Sequence, residues 1–314
     1  SLKLVFILFR ESVKRQYYLS SLPTVLKASS RSNISMATMS TTMSNTMSTA
    51  TKGQGLAMGI YLSFLLVALA VQEMFSAGFS ATITLTGSTQ CLAFLMLLMK
   101  MASKHQAGGL SMKTLQLYVV MYVCRLTSTL FRHGYLPVDG TGDGIYQMCD
   151  IVALSMVCFM LYRIQHGAER YSYQRDEDSF PLHRLVFGCF CMAMVNHPDL
   201  NDSKFFDVAW TMALYVDTVA LVPQLYMMSK GGEIEMLTGH FIASMCVSRF
   251  VALLFWYHGY EELAPEDGGY NITGWTIIGA HILQLLLSGD FLYYYVKAVR
   301  NGAALVLPTT SYSV

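Results

Sequence analysis

The chain has 314 residues, of which 54% are hydrophobic and only 13% are charged. A soluble domain carries about a quarter charged residues, so this composition argues against a large soluble helical protein. Repeated apolar runs of about 20 residues instead predict a polytopic α-helical membrane protein. The formal net charge of +1 identifies no partner. Membrane lipids are the partner that the apolar runs imply, and no nucleic-acid partner is predicted.

The first segment, residues 1–55, differs from the rest of the chain. Its basic residues face a single acid, Glu11, and the tract 29–51 is almost entirely Ser, Thr and Met. A basic, Ser-rich and acid-poor segment is typical of an organelle transit peptide. It is equally typical of a disordered cytosolic tail, and both interpretations stay open.

Apolar runs divide the remainder of the chain. Residues 56–79 contain the first full-length run, which predicts an extra transmembrane helix. The region 80–300 contains further runs that predict a domain of seven helices, and 301–314 is a short C-terminal tail. The runs of this domain lie at about 80–101, 112–132, 145–163, 181–196, 205–228, 235–257 and 273–299.

Loop charges alternate along the predicted spans. Basic residues gather in the N-terminal tail, in 104–113, in 163–184, at Lys230 and after Lys297. The loops between them, such as the one at 258–272, are acidic or neutral. Because positive charge marks the cytoplasmic side, both termini are predicted on that face or its equivalent.

Charged residues inside the spans mark the predicted functional site. Asp207, Trp210 and Asp217 share one face of a helix, and Arg249 and Trp256 share a face of the next. An ionisable group inside a membrane span costs about 2.5–3.5 kcal/mol on insertion scales, so it is usually paired or lines a wet cavity.

Several ordered motifs carry a resemblance to a known family. They are Val195-Asn196-His197, Trp210-Thr211, the run from Val219 to Leu225, Ser229-Lys230-x-Gly232-Glu233-x-Glu235, His240 and the run from Asp290 to Val296. The chain resembles the ER lumen protein retention receptors, the KDEL receptors, from about residue 80 to Pro308. The resemblance implies a SWEET or PQ-loop-like arrangement of two three-helix bundles, with Pro223-Gln224 as the PQ pair.

The resemblance also implies a ligand and the residues that bind it. In the family a polar cavity takes the C-terminal tetrapeptide of escaped ER residents, more tightly at acidic pH. Arg125 and Arg249 match ligand-pairing arginines, whose guanidinium groups suit a carboxylate. Trp210 and Trp256 match directly. Asp207 and Asp217 stand where the family has Glu.

Departures from the family pattern leave that binding in question. The family's Asp three residues after Arg125 is Ser128 here. The family's Tyr one turn after Arg249 is Ala252 here, and a further Arg is Gly259. The Arg and the His of the family's first helix align with Ile83 and Gln90. The basic tail that binds the retrograde coat in the family reads Asn301-Gly302-Ala303-Ala304. For Arg125 and Arg249, ligand contact and structural pairing with Asp207, Asp217 or Asp290 both stay open.

Three other acidic and basic side chains have plainer interpretations. Asp150 is predicted near a helix end at the membrane interface. His240 and His281 are predicted to be interior or interfacial histidines whose ring nitrogens have hydrogen-bond partners.

The cysteines lie almost entirely in apolar runs and form no CxxC pair, so buried thiols are predicted. Neither a metal site nor a cofactor is predicted, and the absence of a nucleophile–base pair argues against an enzyme.

Three functions remain open on this basis. The first is a divergent retention receptor of the ER and Golgi membranes that binds KDEL- or HDEL-type C-terminal peptides. The second is a non-catalytic structural subunit of a larger membrane complex, in an endosymbiotic organelle, with other protein subunits as its partners. The third is a PQ-loop-type small-solute transporter, for which the sequence offers no substrate-binding pattern.

Overall fold

The computed structural model describes Phe64 and residues 81–132, 135–136, 143–200, 203–231, 233–264, 269–301 and 304–307. The predicted extension at 1–55 lies outside the described residues. So does the predicted extra helix at 56–79, apart from Phe64. The described chain is an all-α bundle, as the composition predicts, with one very small sheet.

Among the described residues eight α-helices form the bundle, and two of them make up a single interrupted span. They are α1 (Ala81–Lys104), α2 (Met112–Phe131), α3 (Asp143–His166), α4 (Leu182–Val195), α5 (Lys204–Val219), α6 (Val222–Gly231), α7 (Met236–His258) and α8 (Ile272–Asn301). Short 3₁₀ helices at Ala168–Ser172 and Gly259–Leu263 follow α3 and α7. Counting α5 and α6 as one span gives the predicted seven in this part of the chain.

Most of these helices are long and apolar enough to cross a membrane. Within the described residues five segments meet that description, namely Thr82–Lys104, Asp143–His166, Lys204–Lys230, Met236–Glu261 and Ile272–Asn301. Helix α4 has only 14 residues, and it exposes Phe187, Met192 and Val195 on its surface. The chain is therefore a multi-pass membrane protein.

The interruption between α5 and α6 coincides with Pro223. Proline has no backbone N–H and its ring clashes with the preceding turn, so a helix breaks or kinks there. Helix α5 ends at Val219, and α6 begins at Val222. The neighbouring Gln224 is buried and binds the loop that precedes α2. Its Nε2 donates to the Gly109 carbonyl at 2.8 Å, and its Oε1 accepts from the Ser111 amide at 2.8 Å.

The long helices pack as two groups of three. In the first group, α3 packs against both α1 and α2. In the second, α8 packs against both α7 and the α5–α6 span. The groups meet where α1 packs on α7 and α2 packs on α5, and α4 packs mainly on α5. This is the pair of three-helix bundles that the resemblance implies.

The predicted basic loops gather at one end of the bundle, here called the basic end. Lys100 and Lys104 of α1 form ion pairs with Glu235 at the start of α7, at 3.1 and 2.5 Å. Ser111, before α2, donates to Asp178 of the loop before α4 at 2.8 Å. Since these loops contact one another, they lie on the same side, as the charge alternation predicts.

The C-terminal segment also returns to the basic end. Strand β2 (Leu305–Val306) pairs antiparallel with β1 (Glu233–Ile234), which lies between α6 and α7. Leu305 packs over Gly239, where an added Cβ would lie 2.9 Å from the leucine Cδ2. Residues Leu305–Val306 are therefore folded back onto the start of α7.

Candidate ligand cavity

A small polar cavity lies between the two helix groups. Its volume is about 50 Å³. That volume holds a few water molecules, whereas pockets for drug-sized ligands span about 300–1,000 Å³. The lining comes from every spanning helix except α4: Ile83, Thr86, Gln90, Arg125, Thr129, Tyr135, Tyr146, Trp210, Ala213, Leu214, Asp217, Arg249, Ala252, Trp256 and His281.

Arg125 of α2 is held tightly by α3. Its Nε donates to Asp150 Oδ2 at 2.7 Å and its Nη2 donates to Asp150 Oδ1 at 2.6 Å. Nη2 also donates to Gln90 Oε1 at 3.2 Å. The guanidinium lies over the rings of Tyr122 and Tyr146, 5.0 and 5.3 Å from their centroids. This is a bidentate, buried ion pair between two helices of the first group.

Arg249 of α7 is held less completely. Its Nη2 donates to Asp217 Oδ1 of α5, which joins two helices of the second group. Its Nε is buried and has no hydrogen-bond partner among the described residues. Arg249 is only 2% exposed, so a donor that remains unbound inside the bundle is costly. The buried hydroxyl of Tyr118 lies beside the same guanidinium. Asp217 therefore binds only part of the Arg249 fork, and the rest of it is open to a further acceptor at the cavity wall.

Aromatic rings form the wall of the cavity away from the basic end. Trp210 stacks on Tyr135 with ring centroids 6.0 Å apart, and it meets the edge of Trp256 at 6.0 Å. Tyr135 donates its hydroxyl to Asp207 Oδ1 at 2.8 Å. These side chains give the cavity an apolar wall that carries few donors.

The structure brings most of the sequence-predicted site residues together. Arg125, Arg249, Trp210, Trp256 and Asp217 all line the one cavity. Asp207 is fully buried next to this cavity, outside its lining, and its partner is Tyr135 rather than an arginine. The proposed pairing of Arg249 with Asp217 is observed.

Two expectations about acidic residues are wrong. Asp150 lies within α3, 1% exposed and bound to Arg125, rather than near a helix end at the interface. Its carboxylate can stay at that depth because a guanidinium neutralises it directly. Asp290, the third proposed arginine partner, is exposed on α8.

The two interior histidines agree with their plainer interpretation. His240 is buried, and its Nδ1 lies 2.6 Å from the Tyr295 hydroxyl near the basic end. His281 lines the cavity, with Nδ1 2.8 Å from the Ile277 carbonyl of its own helix. Neither belongs to a cluster that could bind a metal, since the described residues contain no group of three or more His, Cys, Asp or Glu suited to one.

The departures from the family pattern fall around the cavity. Ile83, Gln90 and Ala252 line it, so apolar or neutral groups replace the family's Arg, His and Tyr there. Ser128 donates to the Phe206 carbonyl at 2.9 Å, which joins α2 to α5. Gly259 caps the C-terminal end of α7.

Asp150, behind the cavity lining as the partner of Arg125, is the site residue that sequence reasoning missed. The buried residues of α3 are Tyr146, Asp150, Ala153, Val157, Met160 and Ile164, spaced by three or four. That spacing places the aspartate on the core-facing stripe of an otherwise apolar helix. The stripe is visible in the sequence, and it would have flagged Asp150 as a partner for an intramembrane arginine.

Comparison with known proteins shows similarity to one receptor family over most of the chain. Residues 106–258 match the family model of the ER lumen protein retaining receptor. The ER lumen protein-retaining receptor of Petunia hybrida is 30% identical over 223 residues, covering 70% of this chain and 95% of the relative. Receptor B of Arabidopsis thaliana is 30% identical over 225 residues, with the same coverage. The Dictyostelium discoideum receptor is 25% identical over 221 residues, 69% of this chain and 93% of the relative.

Proposed function

Because the chain belongs to the ER lumen protein retaining receptor family, we propose that it binds C-terminal retention peptides of the KDEL or HDEL type. The receptor would act in ER and Golgi membranes and retrieve escaped ER residents. Its ligand site is the cavity between the two helix groups, with Arg249 as the residue that binds the peptide's terminal carboxylate.

The incompletely bound guanidinium of Arg249, at the wall of the cavity, is the observation that carries this proposal. Asp217 accepts from Nη2, while the buried Nε is left without a hydrogen-bond partner among the described residues. A guanidinium presents its N–H groups in a planar fork that fits a carboxylate at two points. A terminal carboxylate that reaches Nε would satisfy the buried donor and add a second anion to the same cation.

The aromatic wall of the cavity offers a binding surface for the side chain of the peptide's last residue. Trp210, Trp256 and Tyr135 face the cavity and offer apolar contact to the terminal leucine of the peptide. The cavity of about 50 Å³ is too small for a tetrapeptide. Binding therefore requires the two helix groups to move apart at the end opposite the basic end.

Peptide titration of the purified full-length protein tests this function. We expect a fluorescent peptide ending in His-Asp-Glu-Leu with a free carboxylate to bind at mildly acidic pH, and its C-terminal amide to bind at least tenfold more weakly. Arg249→Ala should abolish binding because it removes the carboxylate's partner. Asp290→Asn changes an exposed charge outside the cavity and is the matched control. The proposal fails if the free acid and the amide bind equally, or if neither binds.

A second function is favoured by a separate observation. Both cavity arginines are already paired with carboxylates of the chain itself, at Asp150 and Asp217. Arginines that are neutralised within the chain need no ligand carboxylate. This favours a structural role for the protein, as a non-catalytic subunit of a larger membrane complex. Absence of peptide binding, together with migration in one native complex of fixed stoichiometry, supports the subunit. Peptide binding by a free receptor excludes it.

A further inference from the structure

The Asp150–Arg125 pair occupies the part of the arginine that a ligand carboxylate would use. Both oxygens of Asp150 are engaged, at 2.7 Å to Nε and 2.6 Å to Nη2. Gln90 takes the second proton of Nη2 at 3.2 Å. A guanidinium has five N–H donors, so only the two on Nη1 remain for other partners.

The surroundings fix this arrangement. The faces of the guanidinium are covered by Tyr122 and Tyr146, and Tyr122 also donates to Gln90 Oε1 at 2.8 Å. Asp150 is buried on the core-facing stripe of α3 and has no freedom to withdraw without leaving a charge unpaired. The pair is therefore part of the packed core of the first helix group and not a loose surface contact.

We propose that Asp150 is the specificity-determining residue of the cavity. By binding the Nε–Nη2 edge of Arg125 within the chain it removes the bidentate edge of this arginine from the ligand, and it leaves Arg249 to bind the anion. A ligand is then recognised through its terminal carboxylate alone. Acidic side chains earlier in the peptide meet a guanidinium that Asp150 already neutralises and whose bidentate edge is taken. The site therefore accepts C-terminal peptides without acidic residues as readily as those with them.

The charges of the cavity lining agree with this selectivity. Arg125 and Arg249 are balanced by Asp150 and Asp217, each within its own helix group. Among the described lining residues, the remaining polar groups are neutral amides, hydroxyls and indoles, together with His281. A peptide with several negative charges finds no second open cation in this cavity, whereas a single carboxylate can still bind the part of the Arg249 fork that Asp217 leaves open.

Two peptides and one variant test the assignment, which rests on the proposed peptide-binding function. Both peptides carry a free C-terminal carboxylate, one ending in His-Asp-Glu-Leu and the other in His-Asn-Gln-Leu. We expect the wild-type protein to bind them with affinities within about threefold of each other. Asp150→Asn should bind the acidic peptide at least tenfold more tightly, because a freed charge-assisted contact is worth that much. Its affinity for the neutral peptide should stay unchanged.

The control is another buried acid bound to an arginine. Glu169 accepts hydrogen bonds from Arg163 outside the cavity, so Glu169→Gln should leave both affinities at the wild-type level. Equal binding of the acidic peptide by wild type and Asp150→Asn overturns the assignment, as does a tenfold wild-type preference for that peptide. If only Asp150→Asn binds peptide, the wild-type receptor function fails and the role of Asp150 stands. If neither protein binds, both proposals fail.

A double variant covers the case in which Asp150→Asn does not fold. Arg125→Gln combined with Asp150→Asn removes both charges, so neither partner remains buried alone. We expect it to bind both peptides like the wild type, because Arg125 does not contact the ligand. A tenfold loss of affinity in this folded variant would show that Arg125 binds the peptide, and the assignment would be wrong.

Discussion

At the scale of single residues, the buried ion pairs decide what the cavity can bind and how stable its walls are. Asp217 is 5% exposed and Arg249 is 2% exposed, so neither charge is well hydrated. Removing one partner of a buried pair leaves the other charge without compensation, whereas replacing both by apolar groups often costs little. The pair therefore stabilises the contact between α5 and α7 only while both members are present.

We expect Asp217→Ala to lower the free energy of unfolding by about 3 kcal/mol, because it leaves the Arg249 guanidinium buried and unpaired. Asp217→Ala combined with Arg249→Met should lose clearly less. Denaturant unfolding in detergent micelles measures both values. Asp176→Asn, at an exposed position in the loop before α4, is expected to stay within about 0.5 kcal/mol of wild type. Equal losses in the single and double variants would contradict a pairing role.

The residues at this cavity also show which parts of the site can be predicted from the sequence and which cannot. Arg125, Arg249, Trp210 and Trp256 are predictable because intramembrane charges and family motifs both point to them. The partner of Arg125 is not, because Asp150 lies on another helix and only the packing of α3 against α2 brings the two together. Likewise, Asp207 has a suitable depth and charge for an ion pair, yet Tyr135 from the loop after α2 reaches it instead.

At the scale of elements, Gln224 couples the interrupted span to the loop before α2. Its side chain binds Gly109 and Ser111, and its own amide donates to Thr114 Oγ1 at 2.9 Å. Thr114 lies in the first turn of α2, so one residue of α6 contacts both the loop and the helix that follows it. The Pro223-Gln224 pair was predictable as a motif, whereas these partners depend on the tertiary structure.

We expect Gln224→Leu to destabilise the protein by about 2 kcal/mol, because the Gly109 carbonyl and the buried Ser111 amide lose their partner. Amide hydrogen exchange at Ser111 should quicken in this variant. Gln174→Leu is the matched control, since Gln174 accepts from the Gly109 amide of the same loop but at an exposed position. Unchanged exchange at Ser111 in Gln224→Leu would show that the loop holds its position without the glutamine.

At the scale of the whole molecule, a cluster at the basic end joins the two helix groups. Lys100 is buried and donates to the Gly108 carbonyl and the Thr238 hydroxyl, both at 2.8 Å. Glu235 pairs with Lys100 and Lys104, which links α1 of the first group to α7 of the second. Burial raises the pKa of Glu235, but the charges of the two lysines outweigh it and hold the pKa below its ordinary value of 4.5.

A depressed carboxylate pKa stabilises the folded state above the ordinary value, and this contribution disappears as the pH falls through the folded-state pKa. The Tm of wild type should therefore exceed that of Glu235→Gln at neutral pH, and the difference should shrink below pH 4.5. Thermal unfolding in detergent across this range measures the difference. Glu261→Gln, at an exposed position, controls for charge loss. A difference that grows towards acidic pH would contradict the pairing.

The length of α4 has a consequence for the membrane around the protein. Fourteen residues of helix rise about 21 Å, which is less than the roughly 30 Å hydrocarbon core of an average bilayer. Because α4 exposes large apolar side chains, a bilayer that surrounds it can cover them by local thinning. Such thinning costs less in the ER bilayer, about 27 Å thick, than in the plasma membrane, about 32–33 Å thick.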